Sequence, residues 1–134
     1  MEQYIGVKVI KAEPEVKDGK EGYKVCYKDG YVSWSPKEAF EEAYRVVDGN
    51  DLLMTVLDMF SNDPENGYKN RAKAEYNQVK IRAEKLRSML DKYATGTLNF
   101  KPNCSYDLLH SQYVFMKAYM NILEERAKIE NIEF

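Results

Sequence analysis

The sequence predicts an α+β fold: a small N-terminal antiparallel sheet with a short helix, followed by a long antiparallel α-helical hairpin. Three observations carry that prediction. β-rich runs flank an Asp-Gly pair at Asp29-Gly30, a helix start is written at Ser35-Pro36-Lys37-Glu38, and apolar residues recur at alternating spacings of four and three from Ala72 onward.

Taken in order, Tyr4-Ile5-Gly6-Val7-Lys8-Val9-Ile10-Lys11 reads as the first strand, with Gly6 marking a bulge or close approach. Glu13 to Gly22, with Pro14, Gly19 and a high share of charge, reads as an exposed turn. Tyr23-Lys24-Val25-Cys26-Tyr27 alternates, placing Tyr23, Val25 and Tyr27 on one face. Lys28-Asp29-Gly30 supplies a hairpin turn and Tyr31-Val32-Ser33-Trp34 returns against it. A sheet this small needs a cover. Ser35-Pro36-Lys37-Glu38 has the form of a capping box, so a helix to about Arg45 brings Phe40, Ala43 and Tyr44 onto the sheet. Asp48-Gly49-Asn50 ends it, and Asp51 to Phe60 forms a short helix with Leu53, Val56, Leu57 and Phe60 on one stripe.

Ser61 to Gly67, with Asn-Asp-Pro and Asn-Gly, reads as a loop and the module boundary. It divides the chain into a sheet-plus-helix module over residues 1–60 and a hairpin over 68–134. The first long helix, Tyr68 to Tyr93, carries a seam of Ala72, Tyr76, Val79, Ala83, Leu86, Leu90 and Tyr93 and runs about 39 Å. After a loop over Ala94 to Asn103, Ser105 caps the second, with Asp107 in its first turn. Its expected seam is Leu109, Gln112, Met116, Tyr119, Leu123 and Arg126. Leu108, Phe115, Ile122 and Ile129 form a second row beside that seam. Such a row wants a cover, either the N-terminal module or another copy of the chain, and homo-oligomerisation is the favoured expectation.

Charge is high but balanced, 20 basic against 22 acidic residues in 134, which disfavours duplex nucleic acid or an anionic membrane as partner. Met1-Glu2-Gln3 has neither a basic region nor an apolar run behind it, so no secretory leader is expected. No apolar stretch approaches the ~20 residues of a membrane span. The two cysteines, Cys26 and Cys104, fit no metal or redox spacing and are expected as reduced, semi-buried thiols of a cytoplasmic protein.

Catalytic patterns do not emerge. His110 is the single histidine and reads as an exposed or boundary residue; no nucleophile elbow, phosphate-cradling glycine loop, paired zinc ligands or calcium loop is present. The chain therefore reads as a binding protein without cofactor or metal. Gln112 and Arg126, placed in the expected seam, either pair across the helices to fix register or face a ligand. Lys80, Arg82, Lys85 and Arg87 cluster on the preceding helix, with Tyr113, Lys117, Tyr119 and Asn121 opposite. Cations for phosphates, tyrosines to stack and amides to read a base edge are the parts of a nucleotide site.

The run Leu108-Leu109 through Gln112, Met116, Tyr119 and Leu123 to Arg126, with Glu75-Tyr76, Val79, Lys85-Leu86 and Leu90 before it, resembles a family of small proteins of crAss-like phages. That likeness covers about half the chain. The segment from Tyr4-Ile5-Gly6 through Gly30-Tyr31-Val32-Ser33-Trp34-Ser35-Pro36-Lys37-Glu38 to Ala43-Tyr44-Arg45 is similar to a short module attached to varied phage proteins. In architecture the whole is similar to phage anti-defence sponges, which oligomerise through helical hairpins and sequester messengers of CBASS and Thoeris immunity. The resemblance implies a phage protein working in the cytoplasm of the infected bacterial host. It would bind a small nucleotide ligand, a cyclic oligonucleotide or cyclic ADP-ribose derivative, without cleaving it. Arg82, Lys85 and Arg126 are then the candidate phosphate contacts, Tyr113 and Tyr119 stack or line the pocket, and Gln112 joins them. The rival expectation is a protein–protein interaction module or direct inhibitor of a host protein, using the Phe115/Ile122/Ile129 row.

Overall fold

A computed structural model describes all residues, Met1–Phe134. The elements run β1 (Lys11–Lys17), β2 (Lys20–Cys26), β3 (Val32–Pro36), α1 (Lys37–Ala43), α2 (Asp51–Met59), α3 (Gly67–Thr95) and α4 (Tyr106–Glu130). Two compact units result, Met1–Asp48 and Gly49–Phe134, and α2 falls with the long helices. The α+β class and the order of sheet, short helix and long helices stand as expected from the sequence.

In the first unit the three strands form an antiparallel sheet in the order β1-β2-β3. The first strand departs from expectation. Tyr4 to Ile10 is not a strand; the strand is Lys11–Lys17, most of it inside the Glu13–Gly22 stretch read as a turn, which also holds the start of β2 at Lys20. Its hairpin closes through Asp18 (φ 51°) and Gly19 (φ 76°), with Lys17 opposite Lys20. Two consecutive positive φ values are the geometry of a two-residue turn whose twist matches the strands, and Asp-Gly is a favoured pair for it.

Directly paired residues share a sheet face. One face therefore carries Tyr23 and Val25, and α1 packs there: Phe40 stacks on Tyr23 at 4.1 Å between ring centroids and on Tyr44 at 4.9 Å. The Tyr23 hydroxyl donates to Glu41 Oε1 at 2.8 Å, which together with burial raises the phenol pKa. Val25 is fully buried beneath. On the other face Trp34 lies across Gly22 and donates from Nε1 to the Glu15 carbonyl at 3.1 Å. The capping box does not form. Ser35 and Pro36 stay in or beside β3, the N-cap position falls on Pro36 without a side-chain cap, and the helix spans only Lys37–Ala43. Pairing of Ser35 with Tyr23 holds the would-be cap residue in the sheet.

In the second unit α2 is capped by Asn50, whose side chain accepts from the Leu53 amide. It packs on α3, where Gln78 Nε2 donates to the buried Thr55 Oγ1 at 2.9 Å. Ahead of α3, Asp63 accepts from the amides of Glu65 and Asn66, and these hydrogen bonds hold its carboxyl below the usual carboxylate range. Gly96, in the left-handed region at φ 72°, ends α3, and Ser105 caps α4 by accepting from the Leu108 amide at 3.2 Å.

α3 and α4 pack together around Tyr76, Ala83, Met120 and Leu123, with Val79, Tyr113 and Met116 against them. The α3 seam follows the heptad read from the sequence. The α4 seam does not: it is Leu109, Tyr113, Met116, Met120, Leu123 and Ala127, while Gln112, Tyr119 and Arg126 are exposed. Two cross-helix hydrogen bonds fix the register: the Tyr76 hydroxyl donates to Glu124 Oε1 at 2.6 Å, and the Tyr119 hydroxyl donates to Glu75. Tyr76 also stacks on Phe134 at 4.1 Å.

The hydrogen bond to Glu124, with burial, pushes the Tyr76 phenol up to about 12. A phenol raised above its unfolded value of about 10 contributes stability that is complete below pH 10 and lost as pH climbs towards 12. Tyr76→Phe should therefore lower hairpin stability by about 1.5–2 kcal/mol at neutral pH, as for a hydrogen bond to a charged acceptor. It should also flatten the alkaline decline between pH 10 and 12 in urea titrations followed by circular dichroism. A decline of unchanged slope would assign it to other groups.

No helix is long and apolar enough to cross a membrane. Cys26 is half-buried as expected, whereas Cys104 is exposed, on the loop before α4.

Candidate binding faces of the helical hairpin

The sequence places its six candidate residues on the hairpin, and the structure sets them on different faces of it. On α4, Gln112, Tyr119 and Arg126 follow one another at sevens, between the buried seam and the row Leu108, Phe115, Ile122 and Ile129. That row is open to solvent: Phe115 is 74% and Ile129 80% exposed. Three polar or aromatic side chains thus border an apolar ridge that runs the length of the helix.

Arg126 follows Tyr119 by two turns of α4, near enough for its charge to act on the phenol. The phenol pKa of Tyr119 is raised by its hydrogen bond to Glu75, by burial and by the Glu75 charge, and the Arg126 charge opposes these. The Tyr119 hydroxyl is therefore engaged, and the side chain is partly exposed. Arg126 Nε lies 3.3 Å from Glu130 Oε2 in an exposed pair along the helix. A surface pair of this kind holds the guanidinium in place at little energetic cost to exchange, so a phosphate can displace Glu130.

Gln112 stands about 21 Å along α4 from Arg126, at ~1.5 Å per residue. Tyr113 is half-buried against the core and lines the seam from within. Arg82 is exposed on α3 and makes neither ion pair nor hydrogen bond.

Lys85 belongs to another surface. An open groove of about 340 Å³ is lined by Lys85, Ser88, Met89 and Lys92 of α3 and by Thr97, Leu98, Asn99 and Phe100 of the following loop. No α4 residue lines it. Two ammonium groups, two hydroxyls, an amide and an exposed phenyl ring are a donor set suited to an anionic, partly aromatic ligand. Lys92, Ser88, Thr97, Asn99 and Phe100 were not singled out from the sequence. The signal was the Thr95-Gly96 helix stop: a left-handed C-cap turns the chain back, and Thr97 N donates to the Lys92 carbonyl at 2.9 Å, folding the loop onto the last turns of α3.

One copy of the chain thus holds two groups, Tyr119 with Arg126 on α4 and Lys85 with its loop partners on α3. Gln112 stands apart from Arg126 on α4, and Tyr113 lies in the packed seam. His110 is exposed and stacks on Tyr106 at 5.8 Å, beside Tyr93.

No curated protein and no solved structure matches the chain. Residues 66–129, which take in α3 and nearly all of α4, match the model of a family described as Sequestin, so the hairpin is what this chain shares with that family.

Proposed function

We propose that this chain is a phage anti-defence protein that binds and holds a nucleotide immune messenger without cleaving it. The messenger is a cyclic oligonucleotide or a cyclic ADP-ribose derivative, taken up in the cytoplasm of the infected bacterial host. The observation that carries the reading is that the hairpin bearing every candidate residue is the segment similar to Sequestin, a name that denotes sequestration. Cations at Arg82, Lys85 and Arg126 supply phosphate contacts, Tyr119 a stacking face and Gln112 an amide. Because one copy holds these residues apart, the reading includes a homo-oligomer in which the Leu108/Phe115/Ile122/Ile129 row is covered by a second hairpin.

A thermal-shift screen against cyclic di- and trinucleotides, ADP-ribose and its cyclised isomers tests it. Ligand at about 100 times its Kd should add ~2.7 kcal/mol to stability, and heating should release it intact. Arg126→Ala should abolish the shift while leaving the ligand-free melting temperature within a degree or two, since its only ion pair is an exposed one. A large loss of stability in Arg126→Ala would make the residue structural.

The same exposed row favours a second reading, a protein–protein interaction module or direct inhibitor of a host protein, since contiguous apolar surface marks partners. A flat screen with a host protein bound in proportion to Phe115 and Ile122 would select it.

A further inference from the structure

The two edges of the N-terminal sheet differ in kind. β1 is protected against further pairing: Pro14 sits at its centre without an amide hydrogen, and Lys11, Glu13, Glu15 and Lys17 put charge along it. β3 carries neither a central proline nor a charged residue. Val32–Pro36 holds no charged residue, its proline is at the far end, and β2 is its one partner. Its largest side chain, Trp34, turns inward across Gly22 to the Glu15 carbonyl, away from the outer edge. An edge of this description is a template for another strand.

The same unit contains a strand without a sheet. Tyr4-Ile5-Gly6-Val7-Lys8-Val9-Ile10 has the composition of a strand, yet pairing begins only at Lys11 opposite Cys26. Tyr4 is 88% and Ile5 81% exposed. Lys8 holds part of the segment against the unit, with Nζ 4.8 Å from the Tyr27 ring centroid and 6.0 Å from that of Tyr44. That contact reduces the freedom lost when the residues before it pair. In its own unit the segment continues from β1, and β2 lies between β1 and the open edge.

We infer that the Tyr4–Val9 segment of one copy adds as a fourth strand to the β3 edge of a second copy. The occupant is a second copy of this chain because the one strand lacking a partner and the one edge lacking protection occur together in it. The six residues of Tyr4–Val9 are also long enough to span the five of β3. Main-chain hydrogen bonds would supply the attraction, and Tyr4, Ile5, Val7 and Val9 would supply side-chain contacts. The inference concerns the sheet unit and stands whether or not the hairpin binds a nucleotide.

The test uses the full chain in a Cys104→Ser background, which removes the exposed thiol. A copy carrying Val7→Cys is mixed with a differently tagged copy carrying Ser33→Cys, and a short bismaleimide is added. The expected result is a crosslinked product joining the two tags. In the unmodified chain, amides of Ile5–Val9 and the outward amides of β3 should exchange with solvent roughly tenfold or more slowly than unpaired amides, and more slowly as protein concentration rises. Val7→Pro lies outside the sheet, so it leaves the unit folded and should remove the protection from both segments together. Absence of the crosslink, a crosslink confined within a chain bearing both cysteines, or β3 protection unchanged by Val7→Pro would each overturn the inference.

Discussion

Replacing Leu123 with alanine should lower hairpin stability by about 3 kcal/mol, within the range for a buried leucine truncated in a packed core. Leu123 is 4% exposed and belongs to a core of four buried residues, Tyr76, Ala83, Met120 and Leu123. Ala83 and Ala127 are among the small residues that line the seam, so the helices have little side-chain mass with which to refill a void. Urea denaturation followed at the helical band is the measurement. Ile122 is the internal control, one residue earlier and 60% exposed. In an isolated hairpin Ile122→Ala should cost under about 0.5 kcal/mol, as surface changes do. If it instead costs as much as Leu123→Ala, and by an amount that grows with protein concentration, the row is buried between copies. A loss below about 1 kcal/mol for Leu123→Ala would contradict the burial of Leu123 in the seam between α3 and α4.

The seam also shows how far the sequence could be read. Leu109, Met116 and Leu123 recur at sevens and lie in the buried stripe either way; the intermediate position can be counted three or four residues on. Counting three gives Gln112, Tyr119 and Arg126, all exposed; counting four gives Tyr113, Met120 and Ala127, of which the last two are buried and the first half-buried. Burial cost decides between them, since an amide and a guanidinium lose more on leaving water than a methionine and an alanine. The polar residues that drew attention as seam oddities are therefore surface residues beside an apolar ridge. The idea that Gln112 and Arg126 pair across the helices to set register does not carry over; Tyr76–Glu124 and Tyr119–Glu75 perform that role.

In the sheet the error has a different cause. β1 is exposed along its length, so it has no buried face to impose alternation, and its proline and charges imitate a turn. The decisive signal was Asp18-Gly19, the same dipeptide that was recognised at Asp29-Gly30. Tyr4 to Ile10 has strand composition without a partner inside its own unit, which local propensity cannot reveal. The Lys85 groove was hidden for a related reason: half of its lining comes from a loop whose path depends on one left-handed glycine.

Gly22→Val should unfold the sheet unit while sparing the long helices. Gly22 pairs with Glu15 on one side and Pro36 on the other, and an added Cβ would meet the Ser35 carbonyl at 2.4 Å and Trp34 Cζ2 at 2.4 Å. The first contact is backbone and cannot swing aside, so the clash is relieved only by moving β3 or expelling the indole. Expelling Trp34 breaks its hydrogen bond to the Glu15 carbonyl and uncovers the centre of β2. Overpacking plus the lost bond come to about 3 kcal/mol. A three-stranded unit of 48 residues has little more than that in reserve. Trp34 is the only tryptophan in the chain, so its fluorescence reports on this unit alone. Emission should shift to the red in Gly22→Val at temperatures where the helical circular dichroism of α3 and α4 is retained. Gly22→Ala carries the same Cβ and should behave alike but more mildly, because valine adds two methyl groups that also need room. Unchanged emission in both variants would mean that β3 and its indole can move away from β2 without loss. The close packing of Trp34 on Gly22 would then not be what holds the sheet together.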